Sequence, residues 1–325
     1  MPFLVVVCLG EMRISRAAPT MLRQLTRRSP RALSTARRFS GNTASLNDLS
    51  LRGDPPTACQ KEVWDQIWDE AAVQFKTQSW KSGDLQEFGM DRYLHTLILS
   101  HKTLACGLAH SLGGRLQSNA QANGGADFIA IFRSAFRADP EICDAVAADL
   151  QRFTVVDPAV EGLLGVYCFF KGAHATACAR VAHHYWTDRG DAGKLIARLL
   201  QSETSDVFGV DIHPGAKLGK GVTMDHATGI TIGETAVIGD CVYLMHDVTL
   251  GATGTSGEHD RHPKIGSNVF LGAKCTILGN IEIGEGATVA AAALVNKPVP
   301  AGYTAVGVPA KLIPPSKAID VGKAK

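Results

Sequence analysis

The spacing of hydrophobic residues divides the chain into two parts with different periods. Over residues 58–205, apolar side chains recur at steps of three and four residues, as at Trp64, Ile67 and Ala71. That spacing lines one face of an α-helix, so the sequence predicts a helical N-terminal domain over 58–205. A Gly-Asp-Pro-Pro run within residues 47–57 is typical of a linker.

From Asp211 onward the hydrophobic period becomes six residues. A unit of six residues forms one short strand and a corner, and three such units close a triangular coil of about 18 residues. Successive coils stack at the usual inter-strand spacing of about 4.8 Å. We therefore expect an α+β protein in which a left-handed parallel β-helix of hexapeptide repeats, residues 206–300, follows the helical domain, with a C-terminal tail over 301–325. The aliphatic positions are Ile212, Leu218, Met224, Ile232, Ile238, Leu244, Leu250, Ile265, Leu271, Ile277, Ile283, Val289 and Val295.

The six-residue period slips twice. Met224 and Ile232 are eight residues apart, and Leu250 and Ile265 are fifteen residues apart, where multiples of six would keep the phase. The second slip predicts a loop, residues 253–263, that is extruded from the β-helix. Because binding and catalytic residues are often carried by loops on a rigid scaffold, this loop is a candidate part of a functional site.

Asp211 and His226 form the candidate catalytic pair. They lie 15 residues apart, and with about 18 residues per coil position 229 would stack on Asp211, close to His226. A carboxylate that binds one imidazole nitrogen leaves the other nitrogen free as a general base. This arrangement suits removal of the proton from an alcohol that attacks a thioester. A turn-capping histidine beside a surface aspartate has the same spacing.

Two further pairs of polar residues suit a substrate that carries both a carboxylate and an ammonium group. Arg261 and His262 are adjacent in the predicted loop, and a guanidinium fork beside an imidazole can bind a carboxylate, although such pairs on loops are commonly solvated. Asp157 and Asp225 can accept hydrogen bonds from an ammonium group, while Asp157 before Pro158 also fits a helix N-cap.

Three histidines suggest a zinc site as an alternative to the catalytic pair. His213, His226 and His246 resemble the ligand set of some β-helix carbonic anhydrases, which bind zinc through three histidines. No other metal ligand is suggestively placed, and the dipeptide His213-Pro214 fits a turn equally well. We therefore expect no metal.

Residues 1–46 differ in composition from the rest of the chain. They contain eight arginines, many small and hydroxylated residues, and Glu11 as the one acidic residue. An arginine-rich, serine-rich leader poor in acids is typical of an organelle transit peptide, and the run Arg-Arg-Phe-Ser at residues 37–40 resembles a mitochondrial processing site. We expect a mitochondrial protein, with the plastid as the alternative location and a basic tail as the alternative to a leader.

The charge balance and the cysteine spacing argue against several further classes of protein. Without residues 1–46, 25 basic and 30 acidic side chains remain, and this acidic balance argues against nucleic-acid binding. The apolar segment 2–10 is too short to span a bilayer, so we expect no membrane association. The eight cysteines form no C-x-x-C pair, which favours reduced thiols over a disulfide frame.

Several segments resemble the serine O-acetyltransferases, a hexapeptide-repeat acetyltransferase family. The resemblance spans about residues 58–313 and rests on motifs beyond the generic six-residue period. These segments are Asp157-Pro158-Ala159, Lys171-Gly172-Ala173-His174-Ala175, residues 211–217, residues 224–229, residues 233–239, residues 250–254, residues 260–265, residues 277–281, Pro298-Val299-Pro300 and Gly307-Val308-Pro309-Ala310.

The resemblance implies an activity and a role for each candidate residue. The reaction would move the acetyl group of acetyl-CoA onto the hydroxyl of L-serine, the first step of cysteine synthesis. His226 would be the general base and Asp211 would orient it. Asp157 and Asp225 would hold the substrate amino group, and the adjacent pair in the loop would hold its carboxylate. The residues of that pair are Arg261 and His262.

The resemblance also implies a cofactor strip and an assembly. Acetyl-CoA would lie along the β-helix between neighbouring subunits, and the family forms trimers and hexamers and is commonly inhibited by cysteine. Family members that dock into O-acetylserine sulfhydrylase end in isoleucine, whereas this chain ends in Lys325, which argues against that partnership. The residues of the cofactor strip are Ala252, Thr253, Gly272, Ala273 and Ala291.

Two alternative functions are compatible with the sequence. Another alcohol, such as a sugar, is the alternative acceptor, and a non-catalytic β-helix module is the alternative to an enzyme.

Overall fold

The computed structural model describes residues 56–76, 89–120, 125–254 and 259–315. The predicted leader 1–46, most of the linker and the end of the tail lie outside the described residues. No described helix has both the length and the apolar character needed to cross a membrane. Each cysteine among the described residues carries a free thiol.

Helices make up the first part of the described chain, as the three- and four-residue spacing predicts. Helix α4 illustrates the local logic: Asp127 caps its first turn by accepting a hydrogen bond from the Ala130 amide at 2.9 Å, and Phe128 and Phe132 are buried on one face. One π-helical turn, His95–Leu99, lies between α2 and α3. The helices are α1 Ala58–Lys76, α2 Met90–Leu94, α3 Leu104–Ala120, α4 Phe128–Ala138, α5 Glu141–Val156, α6 Leu163–Phe169, α7 Lys171–Asp188 and α8 Gly190–Phe208.

Short strands then wind into three sheets that form the faces of a prism. Sheet A has the order β1-β4-β7-β10-β13, sheet B the order β2-β5-β8-β11, and sheet C the order β3-β6-β9-β12-β14-β15. The predicted fold class, a helical domain followed by a left-handed parallel β-helix of hexapeptide repeats, is confirmed. The strands are β1 Val210–Ile212, β2 Lys217–Leu218, β3 Thr223–Met224, β4 Ile230–Ile232, β5 Val237–Ile238, β6 Tyr243–Leu244, β7 Thr249–Gly251, β8 Lys264–Ile265, β9 Phe270–Leu271, β10 Thr276–Leu278, β11 Glu282–Ile283, β12 Thr288–Val289, β13 Leu294–Val295, β14 Thr304–Val306 and β15 Lys311–Ile313.

The first coil is longer than the sequence pattern predicts. Val210 stacks on Ile230, and Asp211 therefore stacks on Thr231. The expectation that position 229 stacks on Asp211 is wrong, because the first period slip lengthens the turn at 225–229. The next coil returns to the regular length of three hexapeptide units, with Thr231 on Thr249.

Two boundaries of the β-helix also differ from the prediction. Helix α8 runs to Phe208 instead of ending at 205, and Gly209 closes it in the left-handed conformation with φ 67°. Beyond residue 300, β14 stacks on β12 in parallel, and β15 folds back antiparallel to β14. Part of the predicted tail is therefore the last layer of sheet C.

A buried ion pair joins the helices to the first coil. Arg180 on α7 binds Asp149 on α5 through two hydrogen bonds, of 2.8 and 2.9 Å, and both side chains are almost fully buried. The same guanidinium donates to the carbonyls of Leu218 and Gly219, and Asp149 accepts from the Val222 amide at 2.9 Å. The pair thus fixes where the first coil lies against α5 and α7.

Candidate active site

Two corners of the prism carry the candidate residues. We call the turns that lead from sheet C to sheet A corner C–A, and those that lead from sheet A to sheet B corner A–B. Corner C–A comprises residues 225–229, 245–248, 272–275 and 290–293, and corner A–B comprises residues 213–216, 233–236, 252–263 and 279–281. Strands of sheet A are two or three residues long, so about 10 Å of sheet separates the corners.

His226 lies in corner C–A, in the turn that the first period slip lengthens. His226 and Ala227 both have positive φ, 54° and 55°, a conformation that non-glycine residues seldom adopt. Backbone bonds hold the turn: the Gly229 amide donates to Gly209 at 2.8 Å, and the Asp247 amide donates to Thr228 at 2.8 Å. A strained turn of this kind, held in place by hydrogen bonds to its surroundings, is common at functional sites.

The imidazole of His226 is exposed to the solvent beside a carboxylate. Its side chain is 69% exposed, and Nε2 lies 3.5 Å from Oδ2 of Asp225. The ring of His246, one coil further on, packs edge-on with centroids 6.0 Å apart. His226 is therefore accessible to a substrate, with a negative charge close to one of its nitrogens.

Asp157 and Asp225 both influence the phenol of Tyr243. Burial raises the pKa of the Tyr243 phenol, and the Asp225 carboxylate raises it further by its charge and by hydrogen bonding, with an added contribution from the charge of Asp157. Asp157 also accepts a hydrogen bond from the Ala159 amide at 2.9 Å, so it caps the turn that follows α5. Both carboxylates that were predicted to bind an ammonium group therefore act on the same phenol.

Asp211 lies on the outer face of sheet A, between the two corners. Its neighbours in β1, Val210 and Ile212, are buried in the prism, and its Oδ1 accepts a hydrogen bond from Gln201 on α8 at 2.7 Å. Within the single chain, Asp211 and His226 do not form the predicted hydrogen bond. The reason is that the longer first coil places His226 in corner C–A, away from Asp211 on β1. Among the described residues, the carboxylate that pairs with the imidazole is that of Asp225.

His262 lies in corner A–B, at the end of the extruded loop, where its side chain is buried. The Thr235 amide donates to Nδ1 at 3.2 Å, so the neutral ring carries its proton on Nε2. Burial and the charges of Arg261 and Lys264 lower the pKa of His262. The ring packs over Gly233, where a Cβ atom would come within 2.0 Å of Nε2. Corner A–B therefore offers a fixed N–H donor.

Arg261 is exposed beside His262, and its backbone is fixed. The amides of Arg261 and His262 both donate to the hydroxyl of Thr235 at 3.1 Å. The base of the loop is braced by Lys264, which binds Asp260 and donates to the Thr235 carbonyl at 2.6 Å. The predicted pair for a carboxylate is thus held together on one side of the prism.

The three histidines of the zinc alternative do not cluster in the chain. His226 and His246 share corner C–A, whereas His213 lies in corner A–B with its ring 4.9 Å from that of Trp186. Burial, followed by the charge of Arg198, lowers the pKa of His213 against the opposing effect of Glu234. Among the described residues, no group of three or more histidine, cysteine or acidic side chains is arranged to hold a metal ion.

The predicted cofactor residues also divide between the corners. Gly272, Ala273 and Ala291 lie on successive coils of corner C–A: a Cβ atom on Gly272 would come within 2.6 Å of the Ala291 amide nitrogen, and the Ala292 amide donates to Ala273 at 2.8 Å. Ala252 and Thr253 lie in corner A–B. Gly272 is buried, Ala273 and Ala252 are half-buried, and Ala291 and Thr253 are exposed.

Three contributors to these clusters were not anticipated from the sequence. Tyr243 occupies an outward-facing position of the repeat, Gln201 lies on α8, the helix that precedes the β-helix, and Thr235 lies in a turn of corner A–B. Only Tyr243 left a signal in the sequence, because an aromatic residue at an outward position of the repeat indicates a packed surface there.

Comparison with known proteins identifies the family. The family model described as "Serine acetyltransferase, N-terminal" matches residues 63–178, and that described as "Bacterial transferase hexapeptide (six repeats)" matches residues 262–297. Serine acetyltransferase 2 of Arabidopsis thaliana is 44% identical over 267 residues, covering 82% of this chain and 76% of the relative. Serine acetyltransferase 1, chloroplastic, of the same plant is 43% identical over 253 residues, covering 78% and 76%.

A solved structure agrees with these relatives. The soybean serine acetyltransferase complexed with serine superimposes with a TM-score of 0.71 at 42% identity, covering 78% of this chain and 99% of the soybean chain. Both parts of the fold and most of each relative's length are therefore matched. The chain belongs to the serine acetyltransferase family.

Proposed function

We propose that the protein transfers the acetyl group of acetyl-CoA to the hydroxyl of L-serine and forms O-acetyl-L-serine and CoA. The observation that supports this most directly is the division of binding groups between the corners. Corner C–A has the exposed imidazole of His226 beside the Asp225 carboxylate, which suit an alcohol and an ammonium group. Corner A–B has Arg261 and the Nε2–H group of His262, which suit a carboxylate.

The proposed chemistry is a direct attack within a ternary complex. His226 takes the proton of the serine hydroxyl as that oxygen forms a bond to the acetyl carbonyl carbon. Collapse of the tetrahedral intermediate breaks the carbon–sulfur bond, and the CoA thiolate takes a proton. We assign to Asp211, half-buried on sheet A and anchored by Gln201, the role of orienting the His226 ring of a neighbouring copy, in the shared site proposed below. We assign Asp225 and Asp157 to the substrate ammonium group.

We further propose that one active site is formed between two copies of the chain. In a closed head-to-tail ring, corner C–A of one copy meets corner A–B of the next. This arrangement would bring together both pairs of substrate-binding residues and both halves of the cofactor strip, which sheet A separates in a single chain. Acetyl-CoA would then lie in the groove between the copies, along Gly272, Ala273 and Ala291 of one and Ala252 and Thr253 of the next.

We also propose that residues 1–46 direct import into an organelle. The arginine-rich, acid-poor composition supports import, and the run at residues 37–40 favours the mitochondrion. The chloroplastic relative supports the plastid as the alternative.

An acceptor panel tests the activity. We expect L-serine to be preferred over 3-hydroxypropanoate, which lacks the ammonium group, over serinol, which lacks the carboxylate, and over a hexose, by at least about 10²-fold in kcat/KM, because a site built to pair polar groups rejects analogues that lack them. The loss of thioester absorbance should be followed, since the protein's own thiols would consume a thiol reagent. Equal turnover of the hexose would contradict the assignment of serine as substrate.

A further inference from the structure

Tyr243 is held in a fixed orientation on sheet C. It lies on the outer face of β6, while the adjacent Leu244 points into the prism and is buried. In register it stacks between Thr223 on β3 and Phe270 on β9. The rings of Tyr243 and Phe270 are nearly parallel, with an interplanar angle of 16° and centroids 5.3 Å apart. The phenol therefore has a fixed direction.

The register of sheet C places Asp225 next to Tyr243. The Asp225 amide donates to the Leu244 carbonyl at 2.8 Å, so the backbone of Asp225 is tied to the strand that carries Tyr243. The Asp225 side chain is only 15% exposed, and it follows Thr223, the register partner of Tyr243, by two residues. Since side chains alternate along a strand, the phenol and the carboxylate lie on the same outer face of sheet C, where the charges of Asp225 and Asp157 both act on the phenol. Because burial and both carboxylates raise the pKa of Tyr243, the phenol stays protonated and acts as a donor.

A neutral donor beside Asp225 affects the local charge differently from a cationic donor such as lysine. Among the described residues, neither Asp225 nor Asp157 forms an ion pair with lysine or arginine. A lysine at position 243 would cancel one of the two negative charges, whereas a phenol fixes the position of the carboxylate and leaves its charge uncompensated. Two fixed carboxylates without a cation are a site for a ligand's ammonium group.

We propose that Tyr243 is a positioning residue, which holds the Asp225 carboxylate for the ammonium group of the amino-acid substrate and so makes the enzyme selective for an α-amino acceptor. This inference rests on the proposed function, since the ammonium group belongs to serine there. Tyr243 acts through Asp225 and takes no part in the transfer of the acetyl group.

The substitution Tyr243→Phe removes the hydroxyl and keeps the stacked ring. Because hydrogen bonds to charged groups are stronger than neutral ones, we expect the KM for L-serine to rise about tenfold or more. We expect kcat to change less than about twofold and the KM for acetyl-CoA to stay the same, because the reacting atoms and the cofactor strip are not touched. Tyr303→Phe, in the last coil, is the matched control and should change none of these constants.

Two unreactive competitors separate positioning from general damage. L-Alanine has both charged groups of serine without the hydroxyl, and propanoate has the carboxylate alone. We expect Tyr243→Phe to weaken the binding of L-alanine by the same factor as serine and to leave the binding of propanoate unchanged. Equal weakening of both competitors would mean that the site has been distorted, and no weakening of either would mean that the phenol does not matter; each result overturns the inference.

Calorimetric titration of the two competitors reads the effect without turnover. A wild-type protein that binds L-alanine but does not acetylate serine would contradict the proposed function and leave the comparison of Tyr243→Phe with the wild type intact. A wild-type protein that binds L-alanine no better than propanoate would overturn the inference itself, because no ammonium site would then exist.

Discussion

Replacing His226 by alanine is expected to lower kcat for serine acetylation by about 10²–10⁴-fold, the usual contribution of a positioned general base. The KM for serine should change little, because the imidazole acts on the hydroxyl and other side chains hold the charged groups. The loss should not come from unfolding, since the His226 side chain is 69% exposed. His95→Ala, an exposed histidine in the helical part of the chain, is the matched control. Activity within tenfold of the wild type would reject His226 as the base.

The two carboxylates near His226 should give different kinetic signatures. Asp211→Asn is expected to lower kcat with little change in the KM for serine, since its proposed partner is the imidazole. Asp225→Asn is expected mainly to raise the KM for serine, since its proposed partner is the substrate ammonium group. The 3.5 Å distance between Asp225 and His226 gives the opposite result a clear meaning: an exchange of the two signatures would assign the orienting role to Asp225.

The largest effect on stability is expected from Arg180→Ala. Removing the guanidinium leaves Asp149, which is 2% exposed, as an unpaired buried charge, and takes donors from the carbonyls of Leu218 and Gly219. Breaking a buried ion pair in this way costs about 3–5 kcal/mol. The free energy of unfolding should be measured by urea denaturation at a fixed protein concentration, because the stability of an oligomer depends on that concentration.

Two further variants make the Arg180 result interpretable. Arg180→Lys keeps the charge but cannot form the two parallel hydrogen bonds, and we expect an intermediate loss. Lys220→Ala breaks the exposed pair of Lys220 with Glu141, which links the same two parts of the chain, and should cost at most about 1 kcal/mol. Equal losses for Lys220→Ala and Arg180→Ala would show that the buried pair has no special role at this junction.

Much of the β-helix could be predicted because one aliphatic side chain per strand must point into the prism. That rule places Ile238 in register with Ile265 despite the extruded loop between Leu250 and Ile265, and the two do stack. It fails where coils change length. The coil that brings Val299 onto Ile283 is shorter than three hexapeptide units, so the period is lost while the stacking continues, and the sequence pattern does not reveal the strands after residue 300.

The candidate site was less accessible to sequence reasoning than the fold. Arg261 and His262 are adjacent in the chain, so their proximity needs no tertiary information. The joint influence of Asp157 and Asp225 on Tyr243 depends on how the helices pack against sheet C, and no local pattern encodes that packing. The placement of Asp211 against His226 depended on the length of one coil. The lengthening of a single turn was enough to separate them by a corner.

The central claim is that each active site combines corner C–A of one copy with corner A–B of the next, and mixed oligomers test it most directly. His226→Ala inactivates the first corner and a double variant, Arg261→Ala with His262→Ala, inactivates the second. Each variant alone should be almost inactive on L-serine. When the two are co-expressed with different affinity tags and the mixed trimers are isolated, each ring of three copies contains one junction between two intact corners, which predicts about one third of the wild-type activity. Mixed oligomers as inactive as the separate variants would contradict the shared site.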